Sequence, residues 1–348
     1  MRILISGGGT IGSVSPLIAI FQEIKRQKPE AEFLWLATKN GPEIKLIESY
    51  GISVKEIYSG KFRRYFSLQN FFDLFLILAG FIQSLIIISK FKPQAVISAG
   101  GFVAVPVIWA SWILKRPSLI HQQDIRPGLA NKLTAKFANI ITVTFAKSLK
   151  DFPDFKTKLV GNPVRADILA GNKQEACRIF NLDQELPTVL IFGGGTGALS
   201  LNNLVIESLL QLVDFCQIIH ITGGRINQEF KHPRYHSFIF LTDEMKHAYA
   251  AADLVVSRAG MSALTELAAL AKPAVIIPIS RSHQEENAAE FFRNNAIALL
   301  REENLNSEIF SQAIKEILFD KQELENLKRN IKKIMPSDAA NSIIKMIL

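Results

Sequence analysis

Ile3-Leu4-Ile5-Ser6-Gly7-Gly8-Gly9-Thr10-Ile11-Gly12 stands at the start of the chain, and Leu190-Ile191-Phe192-Gly193-Gly194-Gly195-Thr196-Gly197-Ala198 repeats its plan about 185 residues later. Each is a short apolar run that stops at a glycine cluster and then enters a helix-like stretch. Strand, glycine turn and helix in that order leave backbone N–H groups at a positive helix end, which suits phosphate. Two copies at this spacing predict two nucleotide-type domains facing each other across a cleft, in keeping with usual domain sizes.

Outward from the first turn, strand-like runs recur near 2–6, 32–38, 53–58, 94–98, 118–121 and 139–143. Helical stretches lie between them at 16–28, 41–50, 67–90, 102–115 and 126–138. Beyond the second turn the plan repeats, with strands near 187–192, 217–221, 237–241, 253–256, 273–277 and 297–300. Apolar strands alternating with amphipathic helices predict an α/β protein of two Rossmann-like, doubly wound parallel sheets, with ligands at the carboxyl ends of the strands. Gly161-Asn162-Pro163 marks the break, giving domains over 1–162 and 163–335. Residues 305–348 read as helical and Pro336 interrupts them, so 336–348 form a last helix expected to pack back on the first domain.

The 348 residues are enough for two real cores, and a net charge of +8 points to an anionic partner. Lysine and arginine are spread along the chain without a block, which argues for a phosphorylated substrate or an acidic membrane surface and against nucleic acid. Two cysteines, Cys177 and Cys216, with no CxxC spacing, fit a reducing compartment. The apolar run at 2–6 meets glycine at once and is a strand rather than a secretory leader. The most hydrophobic segment is Phe66–Phe91. Its core, Leu74–Ile88, is interrupted by Gly80, Gln83 and Ser84, bounded by Asp73 and Lys90, and falls short of a spanning helix. It reads as a buried or membrane-surface helix.

The first turn matches G-x-G-x-x-G through Gly7, Gly9 and Gly12. A dinucleotide site also wants an acidic residue at the end of the second strand, but that strand ends in Thr38-Lys39, which tolerates only NADP. The second turn is followed by Ser257-Arg258-Ala259-Gly260-Met261-Ser262-Ala263-Leu264-Thr265-Glu266, a strand end running into a helix. Glu266 lies one and a half turns beyond Gly260. There it either accepts two hydrogen bonds from a ribose diol, each worth about 1.5–3 kcal/mol, or is an ordinary solvated glutamate. After Pro278 comes His283-Gln284-Glu285-Glu286-Asn287-Ala288, a polar cluster suited to sugar hydroxyls. The histidines show no HxxxH or HExxH spacing and no carboxylates form a DxD pair, so neither a metal nor a cofactor is expected.

Taken together, these residues resemble glycosyltransferase family 28, and within it the peripheral membrane enzymes that add N-acetylglucosamine to lipid I, giving lipid II for peptidoglycan. The resemblance runs through Gly8-Gly9-Thr10, Ser98-Ala99-Gly100-Gly101-Phe102, Gly128-Leu129-Ala130-Asn131-Lys132 and Gly161-Asn162-Pro163-Val164-Arg165. It continues through Gly193 to Ala198, Asp243-Glu244-Met245, Ser257 to Glu266, His283-Gln284 and Asn287-Ala288. It implies a GT-B fold and an inverting, metal-independent transfer from UDP-N-acetylglucosamine to an undecaprenyl-linked acceptor, at the cytoplasmic face of the membrane. The donor would be held by Arg165, Gly195, Thr196, Gly197, Thr242, Met261, Ser262, Thr265, Glu266, His283 and Gln284. Among these, Glu266 matches the ribose-holding residue, Thr242 falls where uracil is read, and His283 and Gln284 lie near the sugar. The acceptor would meet Thr10, Ile11, Gly12, Ser13, Gly100, Gly101 and Asn131. The resemblance also favours a membrane patch formed by Phe71, Phe72, Phe75, Leu78 and Ile82, with Lys61, Arg63 and Arg64 meeting anionic lipid.

The chain departs from the family where a base is needed. Ser13 replaces the histidine that usually closes the first motif, and His121-Gln122-Gln123-Asp124 replaces His-Glu-Gln-Asn. Gly195 and Thr196 stand where relatives commonly carry serine and glutamine. Inversion needs one group to take the acceptor's hydroxyl proton, so Asp124 or His121 is the expected base, with Ser13 beside them. Alternatives are a GT-B enzyme acting on another lipid acceptor, an NADP-binding oxidoreductase, and a nucleotide-sugar sensor that has lost catalysis.

Overall fold

The structure, a computed structural model, describes the chain apart from Thr10, Pro42, 61–68, Gly195, Thr196, 227–229, Ser337 and Leu348, and apart from the side chains of Ile11 and 69–72. It divides into two compact units, Met1–Arg165 with Pro336–Leu348, and Ala166–Met335.

The first unit alternates β1 (Arg2–Ser6), α1 (Ser15–Gln27), β2 (Glu32–Thr38), α2 (Ile44–Ser49), β3 (Ser53–Ile57), α3 (Gln69–Phe91), β4 (Ala95–Ser98), α4 (Ala104–Ile113), β5 (Ser118–Gln122), α5 (Leu129–Ala135) and β6 (Ile140–Val143), then adds β7 (Thr157–Leu159). All seven strands run parallel in the order β3-β2-β1-β4-β5-β6-β7. Alternate residues feed two cores, as the strand period requires. Ile3, Ile5 and Trp35 face the α1 side, and Leu4, Leu34 and Leu36 face the α3 and α4 side. The helix expected over 126–138 is shorter, because extended Gly128 caps it and delays its start.

In the second unit come α6 (Lys173–Phe180), β8 (Thr188–Phe192), α7 (Leu199–Glu207), α8 (Leu209–Val213), β9 (Gln217–Ile221), β10 (Tyr235–Phe238), α9 (Met245–Ala251), β11 (Leu254–Ser257), α10 (Met261–Leu270), β12 (Ala274–Ile276), α11 (Gln284–Arg293), β13 (Ala298–Leu299), α12 (Ser307–Phe319) and α13 (Lys321–Ile331). Its parallel sheet has the order β10-β9-β8-β11-β12-β13. After Pro336 the chain returns to the first unit. There α14 (Ala339–Ile347) lies on α1, with Ile343 and Ile344 in the core that holds Ile18 and Ile20. Two fully buried isoleucines are worth about 1.5–3 kcal/mol each, enough to hold a nine-residue helix in place.

The hydrophobic segment is α3. The expectation that it is too interrupted to span is corrected: Asp73–Phe91 is long and apolar enough to cross a membrane, with a mean hydropathy of 2.1. Its place in the fold argues otherwise. It is the crossover between β3 and β4 and packs along α4, and Gly80 lets its backbone approach Tyr58 where any Cβ would collide. The opposite face is exposed: Leu74, Phe75, Leu78, Ile82 and Ile86 are each at least half exposed. Lys61, Arg63 and Arg64 lie outside the described residues, as do the side chains of Phe71 and Phe72.

Candidate active site

Strand order reverses between β1 and β4 in the first unit, so the loops that follow them part at the carboxyl edge and leave a crevice, the usual ligand position in such sheets. Ser6 pairs with Ser98, which starts both loops at one level. They meet backbone to backbone: at Gly101 (φ +84°) a Cβ would lie 2.5 Å from the Gly8 carbonyl oxygen. Gly100 (φ +94°) faces Asn131, whose Oδ1 would be 3.3 Å from a Cβ there. Asn131 is buried, donates Nδ2–H to the His121 carbonyl (3.1 Å) and Gln122 Oε1 (2.7 Å), and leaves Oδ1 without a hydrogen-bond partner. Ser13 Oγ donates to the Gly8 carbonyl at 3.2 Å and Trp35 Nε1–H to the Gly7 carbonyl at 2.9 Å, so both side chains hold the turn. Gly12 is exposed beside it, while Thr10 and the Ile11 side chain lie outside the described residues.

One residue here escaped the sequence reading. Glu43 is fully buried, accepts the Thr38 N–H at 3.1 Å, and its carboxylate lies against Gly8 and Gly41, where a Cβ on either would displace it. Its Oε2 has no hydrogen-bond partner. The spacing Gly41-x-Glu43 directly after β2 was the available signal.

The expected bases separate. His121 has no exposed surface, and both ring nitrogens are engaged, Nδ1 with Thr142 Oγ1 (3.0 Å) and Nε2 with Asn162 Oδ1 (2.8 Å). Burial pushes it down to about 4, against a weaker upward pull from Asn162. A walled-in neutral imidazole cannot reach a substrate hydroxyl, so the expectation of His121 as base is corrected to a structural role. Asp124 stands half-buried in the loop after β5, where Gln122 Nε2–H braces its carbonyl at 2.7 Å.

The second unit repeats the crevice. Strand order reverses between β8 and β11, and Phe192 pairs with Ser257, so the second glycine turn and the Arg258–Gly260 turn leave side by side. Gly197 (φ +70°) presses so closely on the Thr222 carbonyl that no side chain fits. Gly195 and Thr196 lie outside the described residues. Behind the turn, Asn202 of α7 donates to the carbonyls of Thr222 (2.8 Å) and Arg225 (2.6 Å) and meets His220 Nε2 at 3.0 Å. His220 Nδ1 lies 2.8 Å from the Tyr235 hydroxyl, and burial lowers this imidazole to about 4 as well.

Glu266 on α10 is 8 % exposed, and the Tyr249 hydroxyl donates to its Oε2 at 3.0 Å. It is not the solvated glutamate that local sequence left open. Met261 is buried and its carbonyl accepts from Thr265 Oγ1 at 2.7 Å, while Ser262 is part-exposed at the helix start. Arg258 is not a free cation for a diphosphate. Its guanidinium is buried on Glu302 (2.5 Å), Ser200 (2.7 Å) and the Ile277 carbonyl (3.0 Å). Burial would raise the Glu302 carboxyl, but its bonds from Arg258 and Ser200 outweigh this and hold it below the usual range. Asn287 donates to the Ala259 carbonyl at 3.2 Å and so ties the polar cluster to this turn. His283 is exposed at the start of α11, and Gln284 Oε1 accepts the Ile279 N–H at 3.2 Å. Thr242 is exposed just before α9, its N–H donating to Glu244 at 3.2 Å. Arg165 stands in the first unit, where Nη1 donates to the Tyr50 hydroxyl at 3.1 Å. Among the described residues no three histidine, cysteine or carboxylate side chains are placed to share a metal ion.

The N-terminal domain profile of glycosyltransferase family 28 matches residues 3–143, and its C-terminal domain profile matches 188–343. The chain belongs to glycosyltransferase family 28. In this family 28 chain each matched domain carries one of the two glycine turns. A Clostridium tetani protein named UDP-N-acetylglucosamine–N-acetylmuramyl-(pentapeptide) pyrophosphoryl-undecaprenol N-acetylglucosamine transferase is 38 % identical over 99 % of this chain and 96 % of its own length. A Legionella pneumophila protein of the same name is 35 % identical over 99 % and 96 %. Among solved structures, Acinetobacter baumannii MurG superposes with a TM-score of 0.73 at 23 % identity, covering 99 % of this chain and 98 % of that one. A Neisseria meningitidis UDP-GlcNAc 2-epimerase reaches 0.71 at 14 %, covering 100 % and 99 %. These likenesses establish the GT-B fold of two Rossmann-like units.

Proposed function

We propose that this family 28 chain transfers N-acetylglucosamine from UDP-N-acetylglucosamine to lipid I, the muramyl-pentapeptide pyrophosphoryl-undecaprenol, giving lipid II. The observation that carries the reading is full-length similarity, 38 % over 99 % of the chain, to a transferase named for those substrates. In the donor unit, Glu266 takes the ribose diol and Thr242 reads uracil. The N–H groups at the starts of α7 and α10, with Ser262, meet the diphosphate, and His283 and Gln284 meet the sugar. In the acceptor unit the pyrophosphate lies on the turns from Gly9 to Ser13 and at Gly100 and Gly101. The unpartnered, buried Asn131 Oδ1 is ready to accept from an acceptor hydroxyl or amide.

A muramyl hydroxyl attacks the anomeric carbon as the bond to the UDP oxygen breaks. UDP leaves with the electron pair, the configuration inverts, and the hydroxyl proton passes to the Asp124 carboxylate. N–H groups fixed before the reaction stabilise the charge that develops on the diphosphate. The exposed apolar face of α3 sits in the interfacial layer of an acidic membrane, where the lipid-linked acceptor is found.

The test supplies purified full-length protein with labelled UDP-N-acetylglucosamine and lipid I and identifies the product by mass. Lipid II formation is expected, reduced at least a hundredfold in Asp124→Asn. Conversion of the donor to UDP-N-acetylmannosamine without transfer would replace the reading with epimerisation, a reaction the shared fold also supports. Full turnover in Asp124→Asn would remove Asp124 as base.

A further inference from the structure

We infer that Tyr249 is the positioning residue of the donor site, holding the Glu266 carboxylate in the plane that a ribose diol requires. The inference rests on the assignment of Glu266 to the ribose and adds the residue that makes that glutamate serviceable.

Glutamate has rotatable bonds to spare, and a carboxylate that binds two adjacent hydroxyls must present a fixed edge to them. Glu266 obtains that order from outside its own helix. The Tyr249 hydroxyl, on α9, donates to Oε2 at 3.0 Å, and the bond is almost dry, with Tyr249 fully buried and Glu266 8 % exposed. The phenol is itself held: its ring meets Phe192 edge to face, centroids 5.9 Å apart at 87°. That arrangement is the one aromatic pairs prefer, and it fixes where the phenol oxygen stands.

The position of Tyr249 says more than its bond. Phe192 is the last residue of β8, directly before Gly193 and the second glycine turn. Helix α9, which carries Tyr249, starts three residues after Thr242. Glu266 belongs to α10, which starts after the Arg258–Gly260 turn. One side chain therefore joins the elements assigned to diphosphate, uracil and ribose. Its hydroxyl has a use the core does not require, since a phenylalanine would fill the same apolar space.

The experiment compares UDP-N-acetylglucosamine with its 2′-deoxyribose counterpart as donors for wild type, Tyr249→Phe and Glu266→Gln, taking the ratio of kcat/KM for the two donors. In Tyr249→Phe that ratio is expected to fall about tenfold, the worth of one hydrogen bond to a charged group. The loss lies in KM for the ribose donor, with kcat and the deoxy donor little changed. Binding of UDP against dUDP by calorimetry gives the same readout without turnover. Ile191→Val, a buried change in β8, serves as a structural control and should lower melting temperature while leaving the ratio unchanged. An unchanged ratio in Tyr249→Phe, with a collapsed ratio in Glu266→Gln, overturns the role of Tyr249 alone. An unchanged ratio in Glu266→Gln overturns the ribose assignment and this inference with it.

Discussion

Replacing His121 by glutamine separates a structural histidine from a catalytic one, and the magnitude follows from its surroundings. The imidazole is fully buried between Thr142 and Asn162, and burial lowers it to about 4. An unfolded chain binds the same proton near pH 6.5. Because the folded value is the lower one, the unfolded chain takes up the proton first as pH falls. The stabilisation from keeping His121 neutral is therefore full above about pH 6.5 and is lost as pH drops towards 4. Between about pH 7.5 and pH 5.0 the loss is about 2 kcal/mol, or roughly 4–8 °C in the melting temperature of a unit this size.

Glutamine cannot titrate, but its amide can occupy both hydrogen-bonding positions. The measurement is urea denaturation of wild type and His121→Gln across that pH range, with kcat for soluble-acceptor transfer at each pH. Both proteins lose stability on acidification, because buried His220 titrates in the same sense in the other unit. The wild type is expected to lose about 2 kcal/mol more than the variant. The ascending limb of the pH–rate profile is expected to keep its midpoint, since that proton belongs to another group. Parallel stability curves would refute the burial argument. A folded variant whose kcat fell a hundredfold with loss of the ascending limb would return His121 to the role of base.

Other substitutions test the two crevices and the apolar helix. Gly101→Ala places a methyl 2.5 Å from the Gly8 carbonyl at a positive φ, a strain of about 1–3 kcal/mol; acceptor turnover should fall while calorimetric UDP affinity stays within about twofold. Arg258→Met leaves Glu302, Ser200 and two carbonyls without their shared donor and should cost the donor unit about 2 kcal/mol in denaturant melts. UDP and uridine should then lose affinity by the same factor; a much larger loss for UDP would show Arg258 acting as a diphosphate cation after all. Leu78→Glu with Ile82→Glu, both on the exposed face of α3, should abolish flotation on vesicles containing anionic lipid and spare transfer to a soluble acceptor. Undiminished flotation would remove α3 from the membrane.

Where the sequence was legible, the reason was periodicity. Parallel strands such as Thr188–Phe192 are buried throughout and apolar from Val189 on, and the helices between them alternate. The reading slipped where the apolar run and the strand part company. Phe238-Ile239-Phe240-Leu241 looks like a strand, yet β10 is Tyr235–Phe238, and Ile239 and Phe240 are 71 % and 44 % exposed. Pairing with β9 selects Tyr235, whose hydroxyl meets His220, and that partnership is invisible in a local window. Edge strand β7 has three residues, too few to show a period. In the site, glycine spacing located both turns because positive φ and close backbone approach demand glycine. Burial was not legible. His121, Glu43 and Tyr249 take their character from partners far along the chain or on another element, and only tertiary packing decides whether an ionisable side chain is a tool or a brace.

The two crevices follow one plan but are braced differently, and the difference agrees with the chemistry proposed for them. The donor turn is framed by three side-chain networks: Arg258 with Glu302 and Ser200, Asn202 with His220 and Tyr235, and Tyr249 with Glu266. A leaving diphosphate gains most from dipoles that do not reorganise as charge develops, so rigid framing belongs there. Around the acceptor turn three buried oxygens lack partners, Ser6 Oγ, Glu43 Oε2 and Asn131 Oδ1, all close to the carboxyl edge of the sheet, whereas the atom left unmet in the donor networks is a donor, Arg258 Nε. Unmet acceptors of this kind are costly in a finished core. They are tolerable where a substrate rich in hydroxyl and amide donors completes the site. Ser13 cannot replace the missing histidine as base, because its hydroxyl is already donating to Gly8 and a neutral alcohol is a poor proton acceptor. In the proposed reaction the demand for a base therefore falls on the loop after β5, where half-buried Asp124 offers a carboxylate two residues beyond Gln122, the position of the family's glutamate.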